Sequence, residues 1–275
     1  MTLRALEVLA AVPLVAAEDT RVTRRLLARH GIEARFVTYH ARNAVARAPE
    51  LLAHLRGGDD LALVTDAGTP GVSDPGEALV AAWAGEGGRV VPVPGASAVL
   101  AALAGTGVVG PRWSFEGFLP RSGRERRARL AAIAGEGRGA VLFEAPGRLA
   151  GTLADLAGAC GPDRPAAVCR ELTKLHEEII RGSLGELADR AAAGEIDPRG
   201  EATIVVGWWD PAVAHREAAG AWVAGRHVPA QPDALARARA RVAALVAAGT
   251  ARGEAARRVA AETGLPRRAL YRPGA

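Results

Sequence analysis

The sequence predicts an α/β protein with a largely parallel sheet, and three observations carry that expectation. Short apolar runs alternate with amphipathic segments through the first 207 residues, the rhythm of strand and helix. Several apolar runs are continuous Val, Leu and Ala stretches, as in strands buried on both faces. With 275 residues, 49% hydrophobic and 24% charged, the chain can bury two cores and lies outside the disordered class.

In chain order, the pattern predicts a helix over 2–9, a strand over 12–17, and a helix over 21–30 closed by Gly31. A strand over 34–39, a helix over 44–56 closed by Gly57-Gly58, and a strand over 61–65 follow. A helix over 76–84, a strand over 89–93 and a helix over 96–104 complete the first half. The rhythm weakens over 105–113, which is rich in glycine and carries Pro111-Arg112, so a first α/β domain is expected over 1–112 and a second over 113–209. The second opens on an amphipathic helix over 123–134, with Arg124, Arg126, Arg127 and Arg129 set against Leu130 and Ile133. Those arginines fit a solvated face or phosphate contacts equally well. Strands are expected over 140–144, 166–170 and 202–206.

Residues 210–275 read as a basic linker and a helical module, with helices over 235–248, 254–262 and 265–271 and breaks at Gly249 and Gly264. Short helices parted by glycine and leading into Pro266-Arg267-Arg268 fit a helix-turn-helix-like unit. They fit a small bundle with no nucleic-acid role just as well. Charge favours a polyanion: residues 1–207 hold 24 basic and 25 acidic side chains, whereas 208–275 hold 11 and 5, so the whole surplus of +5 lies in the tail.

Composition excludes several classes. Aromatics, at 4%, are too few for long base-stacking stripes. Cys160 and Cys169 cannot form a disulfide framework or a four-cysteine zinc site, and no apolar run reaches the roughly 20 residues that span a bilayer. Arg4 and the Leu-rich stretch to Ala16-Ala17 imitate a signal peptide, but Glu7 interrupts it and a helix followed by a strand accounts for it better. A cytoplasmic protein is expected. Among 35 basic residues only Lys174 is lysine, and Asn43 is the only asparagine, so these two stand out from an Arg-, Ala- and Gly-rich background.

No GxGxxG and no Walker-type loop is present. Instead Asp66-Ala67-Gly68-Thr69-Pro70-Gly71-Val72-Ser73-Asp74-Pro75-Gly76 follows the third strand, where ligands bind in open α/β sheets. Its glycines let backbone approach a ligand, and Asp66 and Asp74 could accept from ribose hydroxyls or an amino group. A plain turn with Asp74 capping the next helix is the other reading. Val91-Pro92-Val93-Pro94-Gly95-Ala96-Ser97-Ala98 forms a second elbow, and Glu18-Asp19-Thr20-Arg21 an acidic corner that also fits a helix N-cap.

These clusters, with Phe115-Glu116-Gly117-Phe118-Leu119-Pro120, the FEAPGRL run from Phe143 to Leu149, Glu171-Leu172-Thr173-Lys174 and Gly200-Glu201, resemble the tetrapyrrole-methylase superfamily. Within it they look like the bacterial small-subunit (16S) ribosomal RNA cytidine 2′-O-methyltransferases. The tail, with Ala255-Ala256, Ala260, Gly264 and Leu270-Tyr271, resembles a helical module that some members carry. The resemblance implies two α/β domains holding S-adenosylmethionine between them, a homodimer, and small-subunit ribosomal RNA or the assembled subunit as partner. It implies cofactor contacts from Asp66, Gly68, Thr69, Pro70, Ser73, Asp74, Pro94, Gly95, Ser97 and Ala98, completed by Glu144, Gly200 and Glu201. Arg21, His40, Asn43, Arg121 and Arg148 are the expected RNA contacts. Members of the family begin with an extra strand and a Pro-Ile-Gly-Asn-type turn ahead of the segment matching 2–9, so a start upstream of Met1 is expected.

Methyl transfer to a ribose hydroxyl needs no metal, since a sulfonium is already a good electrophile. It needs in-line alignment and help in removing the hydroxyl proton. Asp19 and Glu171 are the candidate bases, with structural salt-bridging as the alternative role, and Lys174 is a cation that could lower the hydroxyl's pKa. His176-Glu177-Glu178 lacks a second histidine at metal spacing and reads as a solvated face. Two other functions fit less of the sequence: a methyltransferase for a small corrin-type substrate, which needs no basic tail, and a non-enzymatic RNA-binding homologue that lacks the first strand.

Overall fold

In the computed structural model the chain divides into two compact units, Met1–Leu100 and Ala101–Ala275. The structure describes residues 1–208, 222–223, 226–227, 232–263 and 270.

The first unit contains α1 (Leu3–Ala11), β1 (Leu14–Ala17), α2 (Thr20–Ala28), β2 (Phe36–Thr38), α3 (Ala44–Arg56), β3 (Leu61–Val64) and α4 (Glu77–Gly85). α5 (Ala98–Thr106) begins at its end. Three parallel strands run in the order β2-β1-β3, with Val15 opposite both Phe36 and Ala62. Central β1 is buried along its whole length, as its uninterrupted apolar sequence requires. Side chains alternate between its faces: Val15 and Ala17 pack with Leu9 and Leu27, whereas Leu14 and Ala16 pack with Tyr39, Leu51 and Leu79. Helices therefore cover both faces, and the loops after β1 and β3 leave the same edge.

The strand expected over 89–93 is absent; that segment carries no ladder. Pro92 and Pro94 lack N–H groups, and at i and i+2 they remove donors from one and the same edge. Val90 and Val91 accordingly remain 44% and 42% exposed.

The second unit carries β4 (Trp113–Phe118), α6 (Gly123–Gly135), β5 (Gly139–Glu144), α7 (Leu149–Cys160), β6 (Pro165–Arg170), β7 (Glu178–Ser183), α8 (Leu184–Ala192) and β8 (Ala202–Val206). The sheet order is β4-β5-β8-β6-β7, and only β4 and β5 are parallel. The expectation of a largely parallel sheet thus holds for the first unit and is corrected for the second. Seven residues join β6 to β7, too few for the crossover a parallel neighbour requires. Ala140, Leu142, Val168 and Ile204 pack on Leu149, Leu153, Leu156, Leu184 and Leu187 of α7 and α8.

One buried cation organises this unit. Arg164 is 1% exposed, and its guanidinium donates to the carbonyls of Ile133, Glu136, Arg138 and Gly207. Those bonds fasten the end of α6 and the approach to β5 to the end of β8.

In the tail, β9 (Trp222–Val223) pairs antiparallel with β10 (Arg226–His227). α9 (Pro232–Ala247) and α10 (Arg252–Thr263) meet through Ala238, Val242, Ala255, Ala256 and Val259, joined by Leu270. The first two expected tail helices are therefore present. The third, over 265–271 and including Pro266-Arg267-Arg268, lies outside the described residues apart from Leu270. No helix among the described residues is long and apolar enough to cross a membrane.

Candidate active site

In the first unit the acidic corner and both elbows form one structure. Backbone N–H of Asp19 donates to Asp66 Oδ1 (3.1 Å), and N–H of Asp66 donates to Glu18 Oε2 (3.3 Å). These reciprocal bonds tie the ends of β1 and β3, which are neighbours in register at Ala17 and Val64. Thr69 Oγ1 donates to the Ala96 carbonyl (3.1 Å), joining the first elbow to the second. Thr65 Oγ1 donates to the Ala67 carbonyl and shapes the turn that presents Gly68 and Thr69. Ser97 Oγ accepts from Leu100 N–H and starts α5 beside Ala98.

The first elbow is strained where it is expected to meet a ligand. Ser73 has φ +62°, a left-handed conformation that costs a residue with a Cβ roughly 1–3 kcal/mol. Gly68, Gly71 and Gly76 also have positive φ. Gly76 has φ +144°, a conformation that residues with a Cβ rarely adopt, so glycine is needed there. Asp74 does not cap α4; the N-cap is Gly76, without a side-chain bond.

Asp19 is the N-cap of α2, accepting from Arg21 N–H, and it holds the Arg21 guanidinium through Nε and Nη2 (3.0 and 2.6 Å). Arg21 drives its carboxyl well below the usual carboxylate range, which makes it a weak proton acceptor. Asn43 closes the turn between β2 and α3: its Oδ1 accepts from His40 N–H (2.8 Å) and its Nδ2 donates to the Thr38 carbonyl (3.1 Å). One small side chain must supply both an acceptor and a donor, which explains an asparagine in a chain that otherwise has none. Asn43 thus presents His40, whose buried Nδ1 has no partner among the described residues.

In the second unit, the register sets Glu144 beside Ala202, Ala202 beside Arg170, and Arg170 beside Glu178 along one sheet edge. Three expected site segments gather at that edge. Glu171 Oε1 accepts from Lys174 Nζ (2.9 Å) and from Glu201 N–H (2.8 Å), while Glu171 N–H donates to the Glu201 carbonyl. Lys174 Nζ also reaches Glu201 Oε2 (3.0 Å). A Cβ at Gly200, whose φ is +81°, would lie 2.7 Å from the Glu171 carboxyl, so glycine is what lets this acid approach. Glu171 and Thr173 have φ of +46° and +68°; with Ser73 they are the only left-handed non-glycine residues among those described, and all three lie on expected site loops. Lys174, followed by the Glu201 N–H, lowers the Glu171 pKa, and Glu171 and Glu201 raise that of Lys174.

Glu144 is not exposed to a ligand in this arrangement. It is 2% exposed, accepts from Ala145 N–H and the Thr152 hydroxyl, and pairs with Arg148 Nε (3.3 Å). Thr152 in turn accepts from Arg126, which is bound to Asp155, so one of the helix arginines expected on the surface is buried. Arg148 Nη2 donates to the Leu119 carbonyl (3.1 Å), and Arg121 is exposed. Gly147 N–H donates to the Pro198 carbonyl, linking this segment to the Gly200 loop. Arg170, which no motif of the sequence singles out, fixes that loop by donating to Glu178 and the Arg199 carbonyl. Its one signal is a charge that ends an apolar strand.

The donor set suits S-adenosylmethionine. The first elbow offers an exposed carboxylate at Asp66 and glycine main chain that carries no Cβ to keep a ligand away. At Gly95 a Cβ would touch nothing within 4 Å among the described residues, which leaves room for the cofactor to approach the main chain there.

Residues 1–188 match the family described as tetrapyrrole (corrin/porphyrin) methylases. A Synechocystis protein named ribosomal RNA small subunit methyltransferase I is 43% identical over 271 residues, covering 98% of this chain and 91% of its own length. A Mesorhizobium japonicum protein of the same name is 49% identical over 207 residues, 75% of this chain and 70% of that protein. Among solved structures, a uroporphyrin-III C-methyl transferase from Thermus thermophilus, complexed with S-adenyl homocysteine, aligns with a TM-score of 0.53 at 22% identity. That alignment covers 75% of this chain and 90% of the other, and it speaks for the fold alone. Sequence match, parallel first sheet and motif-bearing loops agree, and the chain belongs to the tetrapyrrole methylases.

Proposed function

We propose that this chain is an S-adenosylmethionine-dependent methyltransferase that modifies the 2′-hydroxyl of a cytidine ribose in small-subunit (16S) ribosomal RNA. Near-full-length similarity to a relative named ribosomal RNA small subunit methyltransferase I carries the reading. The joined elbows of the first unit support it. Bound S-adenosylmethionine supplies an electrophilic methyl group on a sulfonium. The chain's own residues orient and polarise. The elbow backbone and Asp66 hold the donor, and such alignment is worth about 7–11 kcal/mol. Lys174, kept protonated by Glu171 and Glu201, sets a positive charge that favours the ribose alkoxide. Asp19 and Glu171 are both held ionised below the usual carboxylate range, so they act as anchors for Arg21 and Lys174 in preference to general bases, and the hydroxyl proton is released to solvent water as the oxygen takes the methyl group.

Arg21, His40, Arg121 and Arg148 contact the RNA in this reading, and the basic segment 210–275 adds affinity that is independent of sequence. The protein works as a cytoplasmic homodimer on the RNA or the assembled subunit. The test is methyl transfer to purified small ribosomal subunits and to precorrins in parallel. Label recovered as 2′-O-methylcytidine from subunits supports the reading; label only in precorrins, or in neither, rejects it.

A further inference from the structure

We infer that Phe118 is a stacking platform for one unpaired base of the RNA substrate, an inference that rests on the function proposed above. β4 contains a bulge: Phe115 pairs with Val141 but Gly117 pairs with Leu142, and Gly117 takes φ +62° to accommodate the extra residue, Glu116. In a regular strand residues 115 and 118 would point to opposite faces. The bulge brings both onto the face of Phe143, with ring centroids at 5.0 Å for Phe115 and 5.6 Å for Phe118. Three of the chain's four phenylalanines thus form one aromatic group. Phe115 and Phe143 are partly buried, whereas Phe118 stays 51% exposed, a large apolar side chain braced from beneath and open above.

Its surroundings are those of an RNA contact. Phe118 pairs with Phe143, one residue before Glu144, and so stands at the sheet edge that carries Arg148 and the Glu171–Lys174 group. Three residues on, Arg121 is exposed and has no ion-pair partner among the described residues, in contrast to Arg126 and Arg129, which are bound to Asp155 and Glu116. An exposed ring flanked by an uncompensated guanidinium matches a base next to its phosphate.

The test uses the full chain and purified small ribosomal subunits, with affinity measured across a salt series. Phe118→Tyr should bind within about 2-fold of the unaltered protein. Phe118→Leu, which keeps apolar bulk against Phe143, should lose about 5- to 150-fold, the range of one base stack, with an unchanged salt slope. Arg121→Gln should make that slope shallower by about 0.7, the share of one phosphate on a single strand. Equal affinity for Phe118→Leu overturns the inference. Should that variant not fold, Phe118→Trp replaces it: subunits should quench its emission beyond the change in the unaltered protein, and no added quenching overturns the inference. Binding without methyl transfer by the unaltered protein would contradict the proposed function while leaving the stack to be judged by these affinities. No binding at all would overturn both.

Discussion

Lys174 and Asn43 are each needed for the shape of their donors. Lys174 spans two carboxylates with a compact ammonium, a geometry the planar fork of arginine does not reproduce. Lys174→Arg is therefore expected to lower kcat by 10-fold or more while leaving S-adenosylmethionine affinity within about 3-fold, measured by single-turnover assays and calorimetry. The pair also sets a pH window. Glu171, with a lowered pKa, contributes stability above its unfolded value and loses it as pH falls through the folded one; Lys174, with a raised pKa, contributes below its unfolded value and loses it as pH rises through the folded one. The pair is intact from about pH 5 to about pH 10, so it should add no titration to the rate between pH 6 and 9. Asn43→Asp replaces a donor with an acceptor facing the Thr38 carbonyl and should cost about 1–3 kcal/mol in a denaturant titration. Rarity in a biased composition makes both residues legible in the sequence alone. The burial of Glu144 is not legible there, because it depends on Thr152 and Arg126, which helix packing brings to it from other elements.

The elements of the first unit are readable wherever a continuous apolar run or a clean amphipathic period exists: β1, β3 and α3 fall where the pattern predicts them. The segment over 89–93 has the composition of a strand and fails for lack of donors, a consequence of Pro92 and Pro94 that apolar content conceals. In the second unit, β4 and β7 are hidden because Gly117, Glu178 and Gly182 break their alternation. Both are edge strands, where such residues are tolerated. Without β7 the reversal to an antiparallel sheet has no signature in the pattern. The element that most needs one residue is the junction of α6, β5 and β8. Arg164→Lys leaves at least one of four carbonyls without its donor, and at roughly 1–3 kcal/mol for each unsatisfied group the melting temperature should fall by several degrees. An unchanged melting temperature would refute the role of that clamp.

At the scale of the molecule, charge is divided between a nearly neutral body and a basic tail whose helices α9 and α10 share a small core of their own. Removal of 210–275 should lower affinity for small subunits by at least 10-fold at low salt and flatten the salt dependence, as the proposed role of the basic tail in binding phosphates requires. Unchanged affinity would show the tail to be a passenger. The motif loops rest on firmer ground, since the three clusters that stand out in the first half of the sequence are hydrogen-bonded into one edge. Gly95 offers the most direct measurement. A Cβ there meets no atom of the described residues within 4 Å, so Gly95→Ala should leave the melting temperature unchanged to within a degree or two. If the cofactor lies on this backbone, calorimetric titration with S-adenosylmethionine will show at least a 10-fold loss of affinity in the folded variant. Titration curves that superimpose on those of the unaltered protein would contradict the account.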